Sequence, residues 1–332
     1  MISKVFTALP LAVLGAAAAG CAGLMIYSNM FYDSGSDFIE DRTISTESDM
    51  VREDWQKIQS GKFSMEHLDF KSISSIHETR YITQELARQF CGADRDTLPS
   101  YMNETNDSLS AIYDIKDGVS DLAFIVEPDS YLTAEAEKIG IEPESVTIAH
   151  DCLVFFTSRD NPVSGLTQDQ IRDIYSGKIT NWREVGGNDS KILAYQRDHS
   201  TDSQRFMERA VMKGENMASA ADSYQEHSVT HDYAPRIGEY RNTESSIGYV
   251  MGYCLERLYS SEDIKILCVD GVFPDNRAVR NGWYPFTQTY CAVTAKGGDK
   301  RAEEICSYLL SDEGQQIIQY AGFCPARPVK GE

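Results

Sequence analysis

Residues 161–209 read NPVSGLTQDQIRDIYSGKITNWREVGGNDSKILAYQRDHSTDSQRFMER, and this stretch decides the fold. Thr167 is placed as a helix N-cap with Gln170 three residues on, the capping-box arrangement. Ile171, Ile174 and Tyr175 then fall on one helical face, and Gly177 stands where a left-handed C-terminal residue is wanted. After Gly186-Gly187 a strand over Lys191–Tyr195 delivers Arg197, then Ser200, Thr201 and Ser203, to the start of a helix carrying Phe206, Met207 and Val211. Free backbone N–H groups, a helix dipole, hydroxyls and a guanidinium converging at one point make an anion site.

Outward from this stretch, helical patterns alternate with short apolar strands. Helices are predicted over Thr79–Phe90, with Ile82, Leu86 and Phe90 inward, and over Ser108–Lys116, near Thr133–Ile139 and over Arg301–Leu310. Strands are predicted at Asp121–Val126, Leu153–Phe156, Ile247–Val250 and Ile264–Leu267. Such alternation implies an α/β fold with largely parallel sheets. No internal repeat or low-complexity tract interrupts it.

The chain has 332 residues, enough for two lobes beyond a leader. Its net charge of −20 argues against nucleic acid or an anionic membrane surface as partner. The same charge opposes long-range attraction of an anion. Any anion site must therefore act through short-range dipoles and hydrogen bonds, since salt screens charges beyond roughly 8–10 Å.

At the N-terminus only Lys4 precedes an uncharged run from Val5 to Tyr32, within which LPLAVLGAAAAGCAGLMIY can cross a bilayer. Two readings stand. Ala18-Ala19-Gly20-Cys21 resembles a lipoprotein cleavage box with Cys21 as the lipidated residue, although Ala18 stands where that box prefers Leu. Alternatively the segment stays as an uncleaved signal anchor, which Leu24, Met25 and Ile26 favour. Either way the bulk of the chain is exported, and membrane contact runs through residues 1–32. Residues 33–62, polar and charged, read as a juxtamembrane spacer. Of eight cysteines, none forms a CxxC pair, so zinc and thioredoxin-like readings have no support. Their wide spacing reads as isolated core cysteines.

Several segments together resemble a known family. IAHDCLVFFTSRDNPVSGLTQDQIRDIYSGKITNWREVGG, AYQRDHSTDSQ, SSIGYVMGY, NGWYPFTQTYCAVTAKG and EEICSYLLSDEGQQIIQYAGFCP are similar to the phosphate-binding components of ABC importers, which have the two-lobed type II periplasmic-binding-protein fold. The resemblance runs from about Phe63 to Pro325. It implies a binding domain over residues 63–332, with one lobe of about 63–150 plus 251–332 and another of about 151–250. It implies capture of phosphate or a related oxyanion without catalysis and without a cofactor. The implied partners are ABC permease subunits, with the protein itself monomeric.

In such relatives the anion loop reads Arg, then Ser-Gly-Thr or Ser-Gly-Ser, which carries over as Arg197, Thr201, Asp202 and Ser203. Asp202 stands where the family has Gly, beside donors that should face an anion. Relatives also open the first helix with Gly-Ser-Thr. Counting back from Phe90 puts Ser75, Ile76 and His77 there, without the Gly that permits close backbone approach. Ser108 matches the hydroxyl residue that caps the second helix.

Each candidate also has a plainer reading. Arg197 with Thr201 and Ser203 is equally an ordinary helix N-cap beside a surface Arg. Asp202 is equally a first-turn acid favoured by the helix dipole, or an internal occupant of the anion position. Glu127 follows a strand and would accept a bond from a protonated oxyanion, or simply face solvent. Asp151 precedes a buried strand near a crossover, where a hinge-supporting role fits better than ligand contact. His199 lies in the anion loop. His227 and His231 have helical metal spacing, but Ser-Val-Thr between them favours extended chain. With no Gly-x-Ser-x-Gly and no GxxxxGK, neither nucleophilic catalysis nor a nucleotide loop has an anchor.

Overall fold

The structure is a computed structural model that describes residues 58, 72–93, 97–101, 103–197, 202–218, 225–226, 245–253 and 264–329. Residues 1–57, with Cys21 and the leader, lie outside the described residues, as do His227 and His231. Among the described residues no helix is long and apolar enough to cross a membrane.

Strands β1 (Ile73–Ile76), β2 (Asn103–Thr105) and β3 (Leu122–Val126) run parallel, with β1 between the other two. Helices join and follow them: α1 (Arg80–Cys91), α2 (Ser108–Lys116) and α3 (Ser130–Lys138). Asp107 caps α2 by accepting from Ser110 N at 2.8 Å, and Asp129 caps α3 by accepting from Leu132 N at 2.8 Å. That cap starts α3 three residues before the expected Thr133.

The spine is β4 (Pro143–Ser158), one strand of 16 residues. Its first part pairs antiparallel with β12 (Thr287–Ala295), which also pairs antiparallel with β3. Its last part pairs antiparallel with β9 (Ser246–Met251) over Leu153–Thr157. The sheet is thus mixed rather than largely parallel. Because β4 runs through both halves, the chain must return beside it, and returning strands pair antiparallel.

Residues 161–197 and 202–209 pack on the β9 side. After β5 (Gly165–Leu166), α4 (Gln168–Tyr175) opens with both capping-box bonds: Gln170 N to Thr167 Oγ1 at 3.1 Å and Thr167 N to Gln170 Oε1 at 2.8 Å. Ile171, Ile174 and Tyr175 are buried, and Gly177 takes φ 80°. A second capping box, Asn181 with Glu184, seats Trp182, which is 0% exposed and donates from Nε1 to Ser245 O at 2.9 Å. The expected strand over Lys191–Tyr195 shortens to β6 (Leu193–Ala194), because Lys191 bridges to Asn181 instead.

Strand β7 (Gln196–Arg197) follows and pairs parallel with β8 (Gln225–Glu226). Next come α5 (Asp202–Phe206) and a π-helical turn, Met207–Met212. Strand β10 (Ile264–Ile266) pairs with β4 at Phe156–Ser158, and β11 (Cys268–Val269) pairs with β5. β10 therefore lies beside the far half of β4. After α6 (Asn276–Arg280) and β12, helices α7 (Lys300–Leu309) and α8 (Asp312–Tyr320) lead to β13 (Cys324–Pro325), which pairs with β4 at Ala149 and His150.

Cys152, Cys268, Cys291 and Cys324 are buried. Burial pushes Cys291 up to about 11 and the partly buried Cys306 up to about 12, far from thiolate reactivity.

Candidate functional site

Three parallel strands end at one sheet edge, the position at which α/β folds hold ligands. His77, Glu78 and Thr79 leave β1 there, Asn106 and Asp107 leave β2, and Glu127 leaves β3. Thr79 stands at the N-cap of α1, but its hydroxyl donates to Phe124 O at 2.6 Å, so no side chain caps that helix.

Two sequence assignments at this edge are corrected. Ser75 lies inside β1 rather than at the helix start, fully buried, its hydroxyl 2.6 Å from Thr83 Oγ1. The strand runs one residue past it, so His77-Glu78-Thr79-Arg80 is the true opening. Ser108 is the first residue of α2, not its cap; Asp107 takes that role. Glu127 is exposed, and its backbone N–H donates to Thr289 O at 2.9 Å.

The opposite half is built by β7 and α5. Arg197 is 6% exposed, and its Nη1 donates to Ser203 Oγ at 3.3 Å. Its backbone N–H donates to Gln204 Oε1 at 3.0 Å, and Tyr249 OH donates to the same oxygen. Ser203 Oγ also accepts from Met251 N at 3.0 Å, which fixes the start of α5 to the end of β9. Arg197 and Ser203 are thus brought together as expected. Thr201 and His199 lie outside the described residues, as does the side chain of Asp202, whose backbone opens α5.

Asp151 ties the crossing segments together. It is 4% exposed, and its Oδ1 accepts from Tyr253 N at 3.1 Å, joining β4 to the chain leaving β9. Gly252 admits this approach, since a Cβ there would stand 2.6 Å from the same oxygen.

Arg80, the first residue of α1, escaped the sequence reading. It is 8% exposed. Its Nη1 lies 2.8 Å from His77 Nδ1, whose proton goes to Glu104 Oε1 at 2.6 Å, and 3.3 Å from that same oxygen, while Nη2 donates to Tyr81 OH at 2.7 Å. Burial works against the Glu104 carboxylate, but the His77 hydrogen bond and the Arg80 charge outweigh it and hold its pKa below the usual value. The available signal was a cation in a first helical turn, where the dipole disfavours it.

Among the described residues, side-chain contacts reach from one half to the other. Arg205 Nη2 lies 3.8 Å from Glu78 Oε1, and Arg209 Nη2 donates to Gln288 Oε1 at 2.8 Å. Arg205 is exposed and its contact with Glu78 is long, so it adds little.

A model of the PBP superfamily domain matches residues 84–313, more than half of the chain. The chain belongs to the PBP superfamily. Among PBP relatives, the phosphate-binding protein PstS of Borreliella burgdorferi is 27% identical over 56% of this chain and 67% of its own length. PstS of Bacillus subtilis is 27% identical over 58% of this chain and 62% of its own length. A Clostridium perfringens protein crystallised with bound phosphate superposes with a TM-score of 0.54 at 25% identity, over 77% of this chain and 98% of that one. The PBP fold is the expected two-lobed α/β architecture.

Proposed function

We propose that the chain captures phosphate or a related oxyanion outside the membrane and passes it to the permease of an ABC importer. The carrying observation is the buried Arg197–Ser203 pair at the start of α5, set across from the open end of α1. A guanidinium plus a helix opening suits an oxyanion. PstS relatives and a phosphate-bound neighbour support the ligand class. The first lobe holds residues 63–150 with the chain from β12 onward. The second holds 151–250 with β10 and β11. They close over ligand about β4 and the chain after β9. Binding is without catalysis or cofactor, and the monomeric protein is held to the membrane by residues 1–32, whether through lipidated Cys21 or an uncleaved helix.

A second reading has its own observation. Glu78 and Glu104 bring carboxylates to the α1 opening, and an acidic residue, Asp202, is the first of α5, which suits an anchored sensor or interaction protein whose ligand binding has changed. Thermal melts of the full-length chain separate the two. With millimolar phosphate and micromolar affinity, ligand at 1,000 Kd adds roughly 4 kcal/mol and raises the melting temperature. A melt indifferent to phosphate, sulfate and other oxyanions would sink the capture reading. Asp202→Gly is expected to tighten phosphate binding, and an unchanged or weaker affinity would clear Asp202 as the obstacle.

A further inference from the structure

We infer that Arg80 is a second anion-binding group of this site, facing Arg197 across it, and that the ligand is a multiply charged oxyanion bridging the two. The inference rests on the capture reading above. Arg80 is placed against its own helix: backbone N–H groups and the positive end of the α1 dipole already gather there, and a guanidinium adds to that potential instead of offsetting it. Glu104 offsets part of that charge, and an incoming anion that displaces it takes over the role.

The guanidinium is also incompletely satisfied. Its Nη1 has the two Glu104 oxygens at 3.3 and 3.4 Å, and its Nη2 donates to Tyr81 OH. The Nε–H is buried with no hydrogen-bond partner. A buried donor of this kind is costly unless something accepts from it. The Glu104 contacts are long for a charge-assisted pair, and that carboxylate is 38% exposed, so an oxyanion can displace it.

Position supports the pairing. The Tyr81 ring, to which Arg80 donates, lies 5.3 Å from the Tyr253 ring. Tyr253 follows Met251 by two residues, and Met251 N holds the Ser203 hydroxyl that also meets Arg197. Both guanidiniums therefore flank the same end of β9. Arg88, likewise buried, stands at the other end of α1 with Glu85 at 3.8 Å. On a chain of charge −20, two sheltered guanidiniums at short range give a doubly charged anion an advantage over a singly charged one.

The test is calorimetric titration of the full-length chain with inorganic phosphate, alongside Arg80→Met, Arg80→Lys and Glu104→Gln, each checked for folding by circular dichroism. Arg80→Met is expected to weaken binding about tenfold or more, Arg80→Lys by less, because ammonium keeps the charge but loses the fork. Glu104→Gln is expected to tighten binding about threefold by removing the competitor. Arginine variants that fold and bind within twofold of the parent overturn the inference and leave the capture reading standing. Should Arg80→Met fail to fold, parental affinity in both other variants overturns it equally. A parent chain that takes no oxyanion overturns both.

Discussion

Trp182→Ala is expected to destabilise the protein by about 4 kcal/mol, the middle of the range for emptying a large buried aromatic site. The indole is fully buried, and its Nε1–H donates to Ser245 O, a carbonyl that Leu193 N also holds at 2.8 Å, so the loss on truncation is the cavity and one of two bonds to that oxygen. Little can collapse into the gap. Gly187 packs so closely that a Cβ there would lie 2.8 Å from Trp182 Cβ, and the Asn181–Glu184 capping box fixes the turn. Trp283 provides the control: it is 54% exposed with its ring 5.2 Å from Arg277, and its replacement by alanine should stay within about 1 kcal/mol. Urea denaturation of both variants measures the difference. Equal losses would mean that the turn after α4 is not the rigid seat its geometry describes.

Both tryptophans lie in segments that resemble the same family, and the resemblance alone does not rank them; burial does. What the sequence made legible was local. Thr167, Gln170 and Gly177 set the ends of α4 through bonds to near neighbours, so reading them needed no tertiary information. The length of β4 depended on distant partners. Only Leu153–Phe156 reads as a buried strand, while Pro143–Asp151 is mixed in polarity and becomes a strand because β12 pairs along it. The first anion segment failed for a related reason. Counting back from Phe90 could not see that Thr79 donates to Phe124 O on the neighbouring strand, which places the strand–helix junction. At α2 two adjacent residues were able to cap, and Asp107 rather than Ser108 took the role. Arg80 was hidden because a lone arginine at a helix start reads as solvated until its burial is known.

On the capture reading, Arg197→Met should weaken phosphate binding about a hundredfold, roughly 3 kcal/mol, which is the scale of a hydrogen bond to a charged group in a sheltered site. The substitution is suited to the question because the backbone of Arg197 does separate work. Its N–H bonds to Gln204 Oε1 and Tyr249 OH remain whatever the side chain, and methionine fills the stem's volume. Ser203 keeps Met251 N as donor, so α5 stays docked on β9. Thermal stability without phosphate should therefore change far less than affinity. Arg197→Lys should recover part of the loss, since ammonium retains charge but cannot offer the planar fork that matches an oxyanion. Calorimetric titration with phosphate reads both variants. Parental affinity in Arg197→Met would put the anion elsewhere and leave this guanidinium as a structural tie to Ser203. A loss confined to affinity, with the melt intact, assigns it to the ligand.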